Sequence, residues 1–384
     1  MRITIVGAGP AGLYFALLMK KADPTCEISV LERDGADDTF GWGIVFSDQT
    51  FSYLHDNDEP SFDEIIASCE TWDNVEVVHR GEKISIRGNR FSGIARIAFL
   101  KILQHRAQAL GVDLRFHANV SDLARLPPAD LVVGADGANS QVRLRHAAFF
   151  EPDVVPARNK YIWLGTPRLF HGLTLTFRAT AWGPFAAHSY KFSPTLSTFI
   201  VECGPDTWER AGFPTMTERE TCDRLSEIFR EDLKGAPLLT NNFVKWLNFT
   251  LVRNRRWYHE SVVLLGDALH TAHFSIGSGT KLALEDAIAL AKSFAAHPDV
   301  SEALPHFERT RKPIVDALQS AATESLRWFE NWSQDAGLEP VVFAYRLMTR
   351  SGRIAHEKLR QRDPAFVDAY ERAAGASFTE GTTT

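Results

Sequence analysis

Cysteine is scarce in this chain, and none of it is paired in sequence. Cys26, Cys69, Cys203 and Cys222 are the four in 384 residues, with no C-x-x-C among them. That excludes a disulfide framework or a cysteine zinc site and fits a reducing cytoplasm. No uninterrupted run of about 18 apolar residues occurs, so no segment reads as a membrane-spanning helix. The start, Arg2 followed by ITIVGAGPAGLYFALLM, superficially resembles a signal peptide. It is broken by Gly7, Gly9, Pro10 and Gly12 and lacks a cleavage site, so the mature protein is expected to begin at Met1. Neither sign of charge dominates: 48 acidic residues against 42 Lys and Arg give a net charge of -6, spread along the chain. Such a balance offers no broad attraction for nucleic acid or anionic lipid, and an anionic ligand must meet a local basic patch. There is no internal repeat.

What is present is a strand, turn, helix and strand in the first thirty or so residues: Arg2 to Val6, Gly7 to Gly12, a helix to about Lys21, and Glu27 to Glu32. Arg96 to Leu110 has helical apolar spacing, closed by Gly111. Val112 to Phe116 reads as a strand, and the continuous apolar run at Asp130 to Ala135 reads as a strand buried in a parallel sheet. From Tyr161 to Cys203 the pattern turns to alternation, in TLTFR, FAAHSYKF and STFIVEC, as in an antiparallel sheet. Val262 to Leu265 returns to a buried strand, followed by a helix from about Thr280 to Ala296 and a mostly helical remainder to about Ala374. The final GASFTEGTTT is expected to be unstructured.

Gly7-Ala8-Gly9-Pro10-Ala11-Gly12 has G-x-G-x-x-G spacing after a strand and at the opening of a helix. Gly7 permits the tight turn, Gly9 lets a pyrophosphate approach the backbone, and Gly12 allows helix to pack closely on strand. The helix N-terminus offers free N–H groups to phosphates. Glu32 ends the second strand, where a carboxylate accepts hydrogen bonds from the ribose of an adenine dinucleotide. Together the two features leave FAD and NAD as alternatives. Asp136-Gly137 and Gly266-Asp267 each follow an apolar strand, placing further carboxylates at the ligand-binding edge of a parallel sheet. The loop after Asp267 leads through Gly277 and Gly279 to a helix near Thr280 and Lys281, whose free N–H groups can stabilise negative charge on a reduced flavin.

These segments resemble the single-component FAD aromatic monooxygenases of the para-hydroxybenzoate hydroxylase type, through GAGPAG, Glu32, GADG at Gly134 to Gly137 and GDALH at Gly266 to His270, over nearly the whole chain. DTFGWGIVFSD (Asp38 to Asp48) and HTAHFSIGSGTKLALEDAIAL (His270 to Leu290) are similar to salicylyl-CoA 5-hydroxylase and related aryl-CoA hydroxylases. RNKYIWLGT and STFIVEC also resemble protodeoxyviolaceinate monooxygenase. The resemblance implies a bound FAD, NAD(P)H as transient reductant and O2. It assigns Glu32 to the adenosine ribose, Arg96 to the pyrophosphate, and Asp267 to pyrophosphate or ribityl. The full cofactor set expected is Gly7, Gly9, Pro10, Ala11, Gly12, Glu32, Arg33, Gly41, Trp42, Gly43, Arg96, Asp136, Gly137, Gly266, Asp267, Gly277, Gly279, Thr280 and Lys281.

Several residues keep two readings. His273 and Lys281 stand where the wider superfamily commonly has proline and asparagine. His273 is either beside the flavin within reach of substrate or a loop histidine satisfied by backbone. Gly41-Trp42-Gly43 either lets the backbone approach a mobile flavin or is an ordinary turn with a core tryptophan. Ala186, His188, Tyr190 and Phe192 share one strand face. His188 and Tyr190 either orient an aromatic substrate or satisfy ordinary packing. Arg253, Arg255 and Arg256 either meet the phosphates of coenzyme A or NAD(P)H or lie on a solvated loop. His270 and His273 lack a third ligand, and no metal is expected.

The fold expected is α/β: a Rossmann-like FAD-binding domain (1–60, 94–150 and 260–300) with an interleaved antiparallel-sheet substrate domain (61–93 and 151–259), C-terminal helices (301–374) and a flexible tail (375–384). The function expected is hydroxylation of an aryl-CoA thioester, with His273, His188 and Tyr190 as catalytic candidates. Hydroxylation of an indolic precursor and a flavin dehydrogenase are the alternatives. A flavin halogenase is disfavoured, since no W-x-W occurs among nine tryptophans. The protein is expected in the cytoplasm.

Overall fold

The computed structural model describes residues 1–120, 126–241 and 244–380. Arg2–Val6 is a strand because β-branched Ile3, Thr4, Ile5 and Val6 follow one another, all buried. It is central in a six-stranded sheet, flanked by Glu27–Leu31 and then Asp113–Arg115 on one side. On the other side lie Leu131–Gly134, Val262–Leu264 and the short Tyr258–His259. All pairs are parallel except the last. Helix Pro10–Ala22 starts with proline in its first turn and ends on Lys20 and Lys21, as the helix dipole favours. Helices Gly279–Ala296 and Arg96–Ala109 pack beside it over a single apolar core.

The second sheet has seven strands in the order Leu247–Asn254, Pro152–Thr166, Ser197–Cys203, Gly183–Lys191, Leu173–Thr180, Val75–His79 and Glu82–Ile86. Antiparallel pairing runs through it as the alternation predicts, with one exception: Val75–His79 lies parallel to Leu173–Thr180. That strand enters from a distant segment, so no hairpin fixes its direction. One face carries Phe185, Ala187, Phe199 and Val201 against Phe213, Leu225 and Phe229. The opposite face carries Leu175, Phe177 and Ala186 against Phe329, Trp332 and Phe343 of the C-terminal helices. A small third sheet, Gly43–Ser47, Phe91–Ala95 and Glu70–Trp72, joins residues on both sides of the domain boundaries expected at 60 and 93. The last helix, Pro364–Glu380, runs into the tail expected to be unstructured, whose positions 381–384 lie outside the described residues.

Candidate active site and cofactor cleft

The three glycines of the first turn differ in what surrounds them. Gly7 has φ +105°, and a Cβ there would sit 2.3 Å from the Ala135 carbonyl oxygen. At Gly12 a Cβ would lie 2.2 Å from the Gly7 carbonyl oxygen. Nothing lies within 4 Å of a Cβ built on Gly9. The outer two glycines are therefore demanded by the fold and the middle one faces open space, a cradle that a phosphate fits and a side chain would fill. Pro10 and Ala11 open the helix, with Ala11 against Gly266.

Glu32 holds this turn from the next strand, accepting from the Ala8 N–H at 2.7 Å and the Asp34 N–H at 3.0 Å. The groove beside it is lined by Arg33, Asp38, Arg96, Asp136 and Gly137. Asp136 Oδ2 accepts from the Gln141 N–H at 2.6 Å, while its buried Oδ1 has no hydrogen-bond partner among the described residues. Arg96 Nε donates to Thr39 Oγ1 at 3.0 Å, and its guanidinium forms no ion pair among the described residues. Burial lowers its pKa, opposed by Asp267 and Tyr190. Enclosure by protein raises the Asp267 carboxyl, with Arg96 and His270 acting the other way. An open glycine cradle, a carboxylate oxygen and an arginine that is in no direct ion pair among the described residues fit the phosphates and hydroxyls of a dinucleotide. Buried Arg143, which the sequence reading passed over, ties the two carboxylate loops together by donating to the Ala138 and Ala268 carbonyls.

Gly41 and Gly43 have a packing reason of their own. A Cβ on Gly41 would meet the Trp163 ring at 2.7 Å, and one on Gly43 would meet Phe192 at 2.5 Å. Trp42 is half-buried, 6.4 Å from the Phe192 ring. On the far side of the cleft, the first turn of helix Gly279–Ala296 has no acidic residue and no capping side chain, and Gly279 faces open space. Gly266 and Gly277 take positive φ in the loop leading to it. Thr280 follows in that turn, and Lys281 pairs with Glu285 at 3.2 Å. Glu285 and Asp286 both bind Arg311, which clamps this helix to the long helix Val300–Asn331.

Across the cleft lies a face of the seven-stranded sheet. In register across three strands stand Tyr161, Glu202 and Ala186, then Trp163, Ile200 and His188, then Gly165, Thr198 and Tyr190. Contacts from Tyr190 to the Gly43 carbonyl and from the Trp163 ring to Gly41 place this face at the edge of the cofactor groove. Burial, reinforced by Asp267, pushes the Tyr161 phenol up to about 12. Tyr190 donates to the Gly43 carbonyl at 2.8 Å and stacks on Trp72. His188 Nε2 lies 2.7 Å from Glu202 Oε1, and its ring packs between Phe274 and Phe329 at 5.3 and 4.8 Å.

His273 reaches the same pocket, beside Phe249 and Phe274. Its Nδ1 accepts from the Ser275 N–H at 3.3 Å and lies 2.9 Å from Ser275 Oγ. Burial takes its pKa down to about 4, with Glu202 raising it and His188 and Arg350 lowering it further. It is therefore a neutral imidazole near pH 7. Arg350 donates to Ser325 Oγ at 2.8 Å and to the Ser275 carbonyl at 2.6 Å, locking the His273 loop to the helices. Burial pushes its guanidinium down to about 10, with Glu202 opposing. The sequence reading missed Glu202 and Arg350. An acid inside the otherwise apolar STFIVEC, all of it buried, is a signal that could have found the first. Arg350 ends an ordinary helix and gives no such signal.

The arginine cluster lies elsewhere. Arg255 pairs with Glu151 at 2.7 Å and Arg253 donates to Thr323 Oγ1, beside a hollow also lined by Asp153 and Asp316. Those acids weaken it as a phosphate site. His270 is not in the aromatic pocket but 2.8 Å from Asp286, and no group of three metal-ligating side chains occurs among the described residues. No helix among them is long and apolar enough to cross a membrane.

A parallel sheet with a dinucleotide cradle, beside an aromatic cluster on a second sheet, defines a flavin-binding oxidoreductase. The family described as FAD binding domain matches residues 128–322. Along 96% of its length the chain is 43% identical to salicyloyl-CoA 5-hydroxylase of a Streptomyces species, covering 73% of that protein. It is 37% identical over 94% of its length to 3-hydroxy-4-methyl-anthranilyl-[aryl-carrier protein] 5-monooxygenase of Streptosporangium sibiricum, covering 97% of it. With protodeoxyviolaceinate monooxygenase of Chromobacterium violaceum it shares 34% identity over 89% of its length and 92% of that protein. The chain belongs to this family of FAD-binding monooxygenases, with FAD as cofactor and NAD(P)H as reductant.

Proposed function

We propose that the protein hydroxylates the aromatic ring of an aryl thioester of the salicylyl-CoA, hydroxybenzoyl-CoA or anthraniloyl-CoA class, with NAD(P)H and O2. The observation that carries this is the cluster of Tyr161, Phe274 and Phe329 around His188, on the sheet face whose Tyr190 bonds the Gly43 carbonyl at the edge of the cofactor cleft. Aromatic side chains pack well on a substrate ring, and the polar groups among them suit a ring substituent. Two of the relatives named above act on ring thioesters, one of coenzyme A and one of a carrier protein.

In this reading the Gly7–Gly12 turn, Glu32, Arg96, Asp136 and Asp267 hold FAD, and the first turn of Gly279–Ala296 faces its pyrimidine side. Bound FAD supplies the redox chemistry, taking hydride from NAD(P)H and activating O2. The protein's own residues dry the pocket and hold the ring. His273, neutral and fixed through Nδ1, presents an Nε2–H donor to the substrate.

The test is product formation and NAD(P)H oxidation with salicylyl-CoA, anthraniloyl-CoA and 4-hydroxybenzoyl-CoA beside their free acids and indolic substrates. Coupled turnover of a thioester is expected. Faster, coupled hydroxylation of a free acid or an indole overturns the thioester assignment.

A further inference from the structure

Among the polar groups of the aromatic pocket, one pair is built as a carboxylate and an imidazole. Glu202 and His188 sit on adjacent strands at diagonal positions, within 2.7 Å, and are 1% and 5% exposed. Asn159, on the strand beyond, donates its amide to Glu202 Oε2 at 3.1 Å, so both carboxylate oxygens are committed. The Glu202 bond occupies His188 Nε2. Nδ1 has no hydrogen-bond partner among the described residues, in a ring held between Phe274 and Phe329. The other ionisable groups facing the pair are His273 from the loop and Arg350 from the C-terminal helices.

We propose that Glu202 is the positioning residue of a proton-accepting pair in which His188, through Nδ1, takes the proton of the ring hydroxyl as the aromatic substrate is hydroxylated. This deepens the aromatic-hydroxylase reading and rests on it. The carboxylate fixes the tautomer by accepting Nε2–H, which leaves the Nδ1 lone pair for the substrate, and it stabilises the imidazolium that forms. As the phenolic O–H bond breaks, its electron pair moves into the ring, the ring carbon forms its new C–O bond to one atom of the O2 that NAD(P)H has reduced by two electrons, and the O–O bond breaks with its pair leaving on the second oxygen, which already carries one proton from that reduction. The ring C–H bond then breaks, its electron pair restores aromaticity, and its proton ends in the water made from the second oxygen atom. His188 returns its proton to the phenolic oxygen. NAD(P)H supplies the two electrons.

The geometry also explains why the carboxylate stays charged in so dry a place. Burial alone would raise the Glu202 carboxyl, but the hydrogen bonds it accepts from His188 and Asn159 outweigh it and hold it below the ordinary range. His273 occupies the same pocket, yet its ring is kept neutral, with Nδ1 bonded to Ser275. Of these two histidines, His188 is the one with a counter-charge in contact.

The experiment is single-turnover hydroxylation of salicylyl-CoA, or of whichever ring the substrate panel shows to be turned over, by FAD-loaded enzyme between about pH 5 and pH 9. Wild type is expected to gain rate as pH rises, because only an unprotonated acceptor can take the substrate's proton. Glu202→Gln is expected to lower the plateau by about 10²-fold with little change in KM, and to move the acid limb to lower pH because the imidazolium has lost its counter-charge. Glu202→Asp, which restores the charge, is expected to return the limb towards wild type. A plateau and limb unchanged in Glu202→Gln overturn the proposal, and so does a lower plateau with an unmoved limb, which marks a packing role. Should Glu202→Gln lose its FAD or its circular dichroism, His188→Gln decides: the acid limb disappears if the proposal holds and persists if it does not. Failure of the aromatic-hydroxylase reading is distinct, because wild type would then hydroxylate no ring in the panel.

Discussion

The hydroxyl of Tyr190 and the carbonyl of Gly43 meet at 2.8 Å, joining the seven-stranded sheet to the segment Gly41–Gly43 at the edge of the cofactor cleft. The phenol's proton is committed to that carbonyl, and burial, despite Arg96, raises its pKa. Tyr190→Phe is therefore expected to act as loss of a tie. One buried hydrogen bond is worth about 1 kcal/mol, so the melting temperature should fall by about one degree while hydroxylation drops less than about tenfold. A far larger loss of rate at unchanged stability would make Tyr190 a proton donor in the reaction.

The glycine turn predicts opposite outcomes for two neighbouring alanine substitutions. Gly9→Ala adds its methyl to open space and should leave the apoprotein's melting temperature unchanged while weakening FAD. Gly12→Ala drives a methyl to 2.2 Å from the Gly7 carbonyl oxygen and should destabilise the apoprotein itself. Calorimetry of the apoproteins with flavin-fluorescence titration checks both. Equal FAD affinity in Gly9→Ala and wild type would remove the pyrophosphate from this turn.

Two charged residues of the cleft are expected to separate flavin binding from flavin reactivity. Asp267→Ala removes a carboxylate coupled to Arg96 and should lower FAD occupancy. Lys281→Ala removes a cation from the first turn of Gly279–Ala296 and should keep FAD but alter its rate of reduction and reoxidation. Loss of flavin with unaltered reactivity in the lysine variant would contradict the division. Glu32→Ala, which also frees the Ala8 and Asp34 N–H groups, should weaken FAD through both the ribose and the turn.

His273 gives a pH signature. Its folded pKa of about 4 lies below the ordinary 6.5, so the unfolded chain binds a proton that the folded one refuses. The stability contributed by the neutral ring is present above pH 6.5 and is lost as pH falls from 6.5 towards about 4. His273→Asn should flatten that part of the stability curve, measured by urea unfolding across the interval. Wild type and variant falling in parallel would place the ring in solvent. In turnover, His273→Ala is expected to reduce its flavin normally but release peroxide in place of hydroxylated product.

The cofactor groove was legible in the sequence because its determinants are local. A glycine that needs positive φ and a glutamate at the end of the next strand are fixed by bonds within some thirty residues, and Asp136 and Asp267 are marked by the apolar strands before them. The aromatic pocket was not. His188 could be assigned to a strand face by counting in twos, but its partner Glu202 arrives through strand register, and Phe329 and Arg350 through helix packing more than a hundred residues away. The parallel entry of Val75–His79 left no trace either, since alternation tells that a strand has two faces and not which way it runs. Gly41 and Gly43 read as close approach to a flavin or as an ordinary turn, while Trp163 and Phe192, the protein rings packed on them, lie over a hundred residues on.

The interleaving of the two large sheets bears on how the chain can be made. The first sheet draws on residues 2–31, 113–134 and 258–264, and the second on 75–86 and 152–254, so synthesis passes back and forth between them. Strand Arg2–Val6 leaves the ribosome well over a hundred residues before Leu131–Gly134, its neighbour on one side. At about 5–20 residues per second its open edge waits on the order of ten seconds for that partner. Any nascent chain stopped before Val262–Leu264 carries an unpaired edge of the kind that recruits other chains, and cutting the gene between its two sheets would yield two aggregating fragments in place of two domains.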